Sequence, residues 1–179
     1  MSISSVQSFW FGEISPEQWW RSNPEIDEII RSRFGGLHER ARNCELSDWR
    51  DSKEGRLAEI IILDQFSRNL HRDSPLAYEN DRLALGLAQE FIRHFDHQNM
   101  SLDERTFLYM PFMHSESLVI QDRSIELHRQ DGLERRLHWA NKHREIIVRF
   151  GRFPHRNVAL SRESSEEEVK FLTMPGSAF

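Results

Sequence analysis

Gly55-Arg56-Leu57-Ala58-Glu59-Ile60-Ile61-Ile62-Leu63-Asp64-Gln65-Phe66-Ser67-Arg68-Asn69 is the stretch that decides the fold. Leu57, Ala58, Ile60, Ile61, Ile62, Leu63 and Phe66 cover nearly every side of a helix drawn at 3.6 residues per turn. A helix that is apolar all round must be surrounded by others, so this one is central. Ile60 to Leu63 alone would also suit a buried strand. The run sits inside a longer helical pattern, however, and no segment elsewhere alternates at period two for long enough to build a sheet.

The pattern stays helical on both sides. Asn23 and Pro24 form an N-cap and first-turn pair ahead of a stripe of Ile26, Ile29, Ile30, Phe34, Leu37 and Ala41. Gly35 and Gly36 interrupt that stripe and suggest close packing or a bend. Ser74-Pro75 opens a stretch striped by Ala84, Ala88, Phe91, Ile92 and Phe95. Asp103 to Met110 reads as a helix that ends or kinks at Pro111. Ser117 to Gln130 reads as the next. Trp139, His143, Ile146, Ile147 and Phe150 stripe another, and Ser165 with Glu168 matches a capping box ahead of a last one. The expected fold is all-α: one domain over residues 1–179, a compact array of antiparallel helices with short connections.

Bulk properties narrow the function classes. A net charge of −5 argues against a dedicated nucleic-acid binder. Cys44 is the only cysteine, so no intrachain disulfide forms, which fits a reducing compartment. No activating motif surrounds it, and it reads as a bystander. Met1 to Gly12 carries no Lys or Arg ahead of its apolar run, unlike a secretory signal. No apolar run approaches the roughly 20 residues of a spanning helix. The expected location is the cytoplasm, away from membranes.

Four groups of residues could carry chemistry. Asp64 and Arg68 are four apart on one face of the central helix, so they form either a structural ion pair or a carboxylate that orients Arg68 toward a ligand. His114-Ser115-Glu116 follows the Pro111 break. His114 could act as general acid or base with Glu116 as partner, or the Ser and Glu could simply cap the next helix. His143 lies in an apolar stripe, where a lone imidazole is more often a core residue than a ligand. Last, Arg149-Phe150-Gly151-Arg152-Phe153-Pro154-His155-Arg156-Asn157 sets guanidinium groups among rings. With Arg162 they could bind an anion, unless the acidic run Glu163 to Glu168 neutralises them internally. No HExxH, paired Glu-x-x-His or CxxC spacing points to a metal, and no cofactor is expected.

Phe9-Trp10-Phe11-Gly12, Ile61 through Asn69, Tyr109-Met110-Pro111-Phe112-Met113-His114-Ser115-Glu116, Arg149 through Asn157 and Arg162-Glu163-Ser164 occur in that order. Together they resemble the bacterial DUF924 family across essentially the whole chain. The usual family pattern has Pro where Ser67 stands and Gly where Ser161 stands. The resemblance implies an all-helical fold grouped with tetratricopeptide-like superhelices, and it supplies no reaction.

Three functions follow as expectations. The leading one is a polar pocket lined by Asp64, Arg68, Asn69, His114, Glu116, Arg152, His155, Arg156 and Asn157 that takes a small anionic metabolite or a peptide carboxylate. The second is an enzyme of hydrolase or lyase type using His114 and Glu116. The third is a protein-interaction module with a concave groove. A polar network that only fixes helix packing is the bland alternative.

Overall fold

The computed structural model describes residues 1–177, and all regular structure among them is helical. They divide into two compact units. The first holds Met1–Arg72 and Leu76–Pro111, and the second holds Asp73–Pro75 and the chain from Phe112 onward.

In the first unit, the stretch that predicts a central helix forms one continuous rod. Helix α3 (Lys53–Ile61) passes through a π-turn (Ile62–Phe66) into helix α4 (Ser67–Leu70). Its side chains from Leu57 to Ser67 are all buried. Helices α1 (Ile3–Ser8), α2 (Pro24–Arg42) and α5 (Asp81–His94) pack against this rod. Rings fill the gaps: Phe34 meets Phe9 at 5.0 Å and Phe66 at 5.3 Å, and Trp10 meets Phe66 at 5.6 Å. A second π-turn, Phe9–Glu13, follows α1, so the two π-turns share this ring cluster. In the turn Phe9–Glu13, the Trp10 carbonyl accepts from the indole Nε1 of Trp19, at 2.9 Å.

Gly55 sets how close α3 comes to its neighbours. A Cβ there would lie 2.1 Å from the Trp49 carbonyl oxygen and 2.9 Å from Ile3 Cδ1. The Trp49 carbonyl belongs to a tight turn, Ser47–Asp51. Arg50 of that turn donates from Nε and Nη2 to the fully buried carboxylate of Glu59, at 2.7 and 2.6 Å. Behind the rod, Ser67 Oγ donates to the Leu63 carbonyl at 2.7 Å and accepts from Asn80 Nδ2 at 3.2 Å. His38 Nε2 lies 2.8 Å from the same oxygen, and since the hydroxyl proton is given to Leu63, the imidazole is the donor.

Several local expectations need correction. Pro111 does not end its helix: α6 runs from Leu102 to Met113. Only two residues follow the proline inside the helix, so one missing amide hydrogen costs one bond rather than a ladder. Gly35 and Gly36 mark no close contact, because nothing lies within 4 Å of a Cβ at either, and α2 continues through them. Ile29 leaves the predicted stripe for solvent, while His38 is buried in it. Cys44 is exposed, at φ 60°.

In the second unit, α7 (Leu118–His128) and α8 (Glu134–Phe150) form a hairpin. Arg144 Nε donates to Asp122 at 2.6 Å, tying the start of α7 to the far half of α8, as antiparallel helices require. Gly151 closes α8 in the left-handed region at φ 70°, a conformation that favours glycine. A short turn, Pro154–Arg156, follows it, and then α9 (Glu166–Leu172), which opens on the expected Ser165–Glu168 capping box. No helix among the described residues is long and apolar enough to cross a membrane.

Candidate functional site

The nine candidate residues fall into two groups, one in each unit. Asp64, Arg68 and Asn69 belong to the first. Arg68 Nη1 lies 3.3 Å from Asp64 Oδ1 and 3.0 Å from Asp81 Oδ1, and its Nη2 donates to Asp81 Oδ2 at 3.0 Å. Burial opposes the charge on Arg68, but the carboxylates of Asp64 and Asp81 outweigh it and hold the guanidinium above its ordinary value. Asn69 faces another way, donating to Asp27 Oδ1 at 2.8 Å, where Arg72 binds the same carboxylate. One cation between two carboxylates is the geometry of an internal ion network.

His114, Glu116, Arg152, His155, Arg156 and Asn157 belong to the second unit, and Phe153 is their hub. Glu116 Oε1 accepts from the Phe153 amide at 2.7 Å, and both its oxygens accept from Arg162, at 2.7 and 2.9 Å. Arg162 also donates to the Phe153 carbonyl at 3.1 Å and to Asn157 Oδ1 at 3.0 Å. Asn157, fully buried, donates onward to Ser164 Oγ at 3.0 Å. Glu116 and Arg162 thus fasten the turn that carries His155 and Arg156. Burial alone would raise the Glu116 pKa, but Arg162 and the Phe153 amide more than compensate and lower it. It is a fixed anion at neutral pH.

Around the Phe153 ring stand His143, at 5.6 Å between centroids, His155, also at 5.6 Å, and the Arg156 guanidinium, at 4.6 Å. His114 lies 6.3 Å from His143. His114, His143 and Arg156 are 8%, 6% and 6% exposed. Gln121 of α7 holds the His114 turn by donating to the carbonyls of Met113 and Ser115, both at 2.7 Å. His143 Nδ1 lies 2.8 Å from the Trp139 carbonyl, which fixes the proton on Nδ1 and the lone pair on Nε2. Burial first, then the like charge of His114 and Arg156, pushes the His143 pKa down to about 3.

Arg152 is engaged elsewhere. It grips Glu168 with two bonds, at 2.7 and 2.8 Å, while Arg149 binds Glu167 at 2.7 Å. The acidic run does neutralise these two arginines, and it holds α9 in place, with Phe171 against Phe150 at 5.0 Å. Among the described residues, no group of three His, Cys, Asp or Glu is arranged to hold a metal ion. An open cleft of about 470 Å³ in the first unit, lined by Gln7, Phe11, Gly12, Ser101, Asp103 and Glu104, contains none of the candidate residues. Glu104 is occupied there in capping Ser101, so the chemistry is richer around Phe153.

The neutral His143 makes stability sensitive to acid. An unfolded chain protonates this imidazole below about pH 6.5, whereas the fold resists until about 3. Its contribution is complete above about pH 6.5 and is lost as pH falls toward 3. His38 and His128, each held near 4, act in the same direction. Carboxylates with lowered values, such as Glu168 at about 2, lose their contribution only at lower pH. Denaturant unfolding should therefore show a lower midpoint at about pH 5.5 than at about pH 7, with His143→Gln removing about 1 kcal/mol of that loss. Equal pH slopes in the two proteins would mean that His143 takes up its proton in the fold.

Sequence reading singled out most of these residues but missed three. Gln121 and Ser164 carry no local signal, and the part of Phe153 was read only as a ring anchor. A family model described as a bacterial protein of unknown function, DUF924, matches residues 6–176. No curated protein matches the chain. A solved structure of a protein of unknown function from Agrobacterium tumefaciens is 38% identical, covers 95% of this chain and 96% of that one, and superposes with a TM-score of 0.89.

Proposed function

We propose, for this chain, which belongs to the DUF924 family of bacterial proteins of unknown function, that its second unit binds a small anion or a carboxylate-bearing ligand at the cluster around Phe153. The observation that carries the reading is the convergence of basic side chains on that ring. The Arg156 guanidinium covers the ring at 4.6 Å, Arg162 donates to the Phe153 carbonyl, and His143 and His155 flank the ring, with His114 beside His143. Arg156 is held by its stack on Phe153, so little ordering remains for a bound anion to impose. Asn157 and Arg162 fix the turn, and His155 and Arg156 supply contacts.

The acid/base reading of His114 and Glu116 takes second place. A carboxylate bound by a guanidinium fork and a backbone amide is a positioning group, and its lowered pKa makes it a poor proton shuttle near neutrality. Asp64, Arg68 and Asn69 are assigned to support of the first unit.

Arg156→Ala is the test. Calorimetric titration with sulfate, phosphate and acetate should show binding to the wild type and a loss of about tenfold to a hundredfold in the variant, the value of a charge-assisted hydrogen bond. Arg156→Lys, which keeps the charge and the stem, should recover part of the loss. An Arg156→Ala protein that is folded and binds these anions as the wild type does would remove the assignment.

A further inference from the structure

We infer that α9 is a salt-releasable strap, latched by charge over the Phe150 ring and the guanidinium groups of Arg149 and Arg152, that leaves them while α8 stays folded. Of its seven residues, Glu166–Leu172, only Glu168 is buried. That carboxylate is 3% exposed and accepts two hydrogen bonds from Arg152, at 2.7 and 2.8 Å. Glu167 accepts two from Arg149, at 2.9 and 2.7 Å. Apolar contact comes from Phe171, half-buried against Phe150 at 5.0 Å. The Arg149 guanidinium lies over both rings, 4.6 Å from Phe150 and 5.6 Å from Phe171. Val169, which a helix docked by hydrophobic burial would turn inward, is 54% exposed. α9 therefore faces its unit with paired carboxylates and faces solvent with its valine, the reverse of an ordinary amphipathic helix.

A helix held in this way responds to ionic strength. Isolated helices shorter than roughly 12–15 residues are marginal in water, so α9 keeps its shape only while docked. Salt screens pairs between solvent-exposed charges and leaves apolar burial nearly untouched. Arg149 and Glu167 are both open to solvent, so their pair weakens first, and the more enclosed pair of Arg152 with Glu168 yields after it. Segments with few buried apolar contacts open locally, well below the cost of global unfolding. α8 has the opposite character: Ala140, His143, Ile146 and Ile147 are all buried, and its partner is α7. Release of α9 frees the Arg149 and Arg152 guanidinium groups and uncovers the Phe150 ring without unpacking the hairpin.

Hydrogen exchange of the full chain, followed by mass spectrometry at about 0.02 M and about 0.5 M sodium chloride, tests the strap. Exchange of the α9 amides should quicken by about fivefold to tenfold at the higher salt, while the amides of α8 keep their rates. A charge swap tests the latch itself and leaves the Ser165–Glu168 capping box intact. Arg149→Glu sets two carboxylates against each other and should speed α9 exchange at low salt. Adding Glu167→Arg to that variant restores an opposite pair and should recover most of the lost protection. Should the single variant fold poorly, the salt series on the wild type decides alone. Exchange of α9 that is the same at both salt concentrations would overturn the strap. So would α8 and α9 quickening together, which would mean that α9 leaves only when its whole unit unfolds. A swapped pair that stays as unprotected as Arg149→Glu would show that charge is not what holds the helix, and would overturn it as well.

Discussion

Gly55→Ala should lower stability by about 3 kcal/mol or more, although glycine to alanine inside a helix ordinarily raises it by about 1 kcal/mol. The new methyl group would fall 2.1 Å from a backbone carbonyl, that of Trp49, and 2.9 Å from both Ile3 Cδ1 and Ser52 Oγ. A backbone oxygen cannot swing aside as a side-chain tip can. Moving it displaces the Ser47–Asp51 turn, and with it Ser52, whose hydroxyl caps α3 by accepting from the Gly55 amide at 3.1 Å. It also pulls on Arg50, which binds the buried Glu59 carboxylate, and a buried charge that loses its partner is costly. Gly86→Ala in α5 is the internal control. Nothing lies within 4 Å of a Cβ at Gly86, so that change should be neutral or stabilising. Urea unfolding of both variants reads the difference directly. A Gly55→Ala protein as stable as Gly86→Ala would mean that α1, α3 and the turn do not hold the tight packing described.

The second large effect is expected at Glu116. Its carboxylate receives the Phe153 amide and both Arg162 nitrogens, and Arg162 in turn binds the Phe153 carbonyl and Asn157. Glu116→Ala leaves a partly buried guanidinium and a backbone N–H without their acceptor. The expected cost is about 2 kcal/mol of stability. Sulfate affinity should fall at least about tenfold, because the turn bearing His155 and Arg156 loses its tether. Glu116→Gln keeps an acceptor for the amide but not the charge, and should fall between. Unfolding and calorimetry on the three proteins separate the outcomes. A Glu116→Ala variant that unfolds more easily yet binds sulfate with wild-type affinity would confine Glu116 to the scaffold.

Fold class was legible because apolar stripes at helical spacing leave few alternatives, and the caps at Asn23–Pro24 and Ser165–Glu168 are local signals. The π-turns were not legible. One extra residue per turn barely alters a stripe over five residues, so Ile62–Phe66 reads as ordinary helix. Of the two expectations at Pro111, an end of the helix fails, because propensity gives the cost of a proline without saying how much helix remains to be lost. At the site, residue types carried most of the signal, and pairing carried the rest. Glu116 and Arg162 lie 46 positions apart, and nothing local says that this arginine, and not Arg152, meets that carboxylate. The acidic run marked neutralisation of the basic corner as possible. Only the docking of α9 selects Arg149 and Arg152 for it.

The π-turn at Ile62–Phe66 has a rotational consequence. One residue more per turn swings whatever follows by about 100° relative to an unbroken α-helix. The rod from Lys53 to Leu70 is therefore two helices in different phase, sharing one axis. The first phase buries Leu57, Ile60 and Ile61; the second brings Ser67 under His38 and Asn80 and sends Arg68 to Asp81. Deleting a single residue between Ile62 and Phe66 would restore the common winding and turn Arg68 about a quarter of a revolution away from its carboxylates.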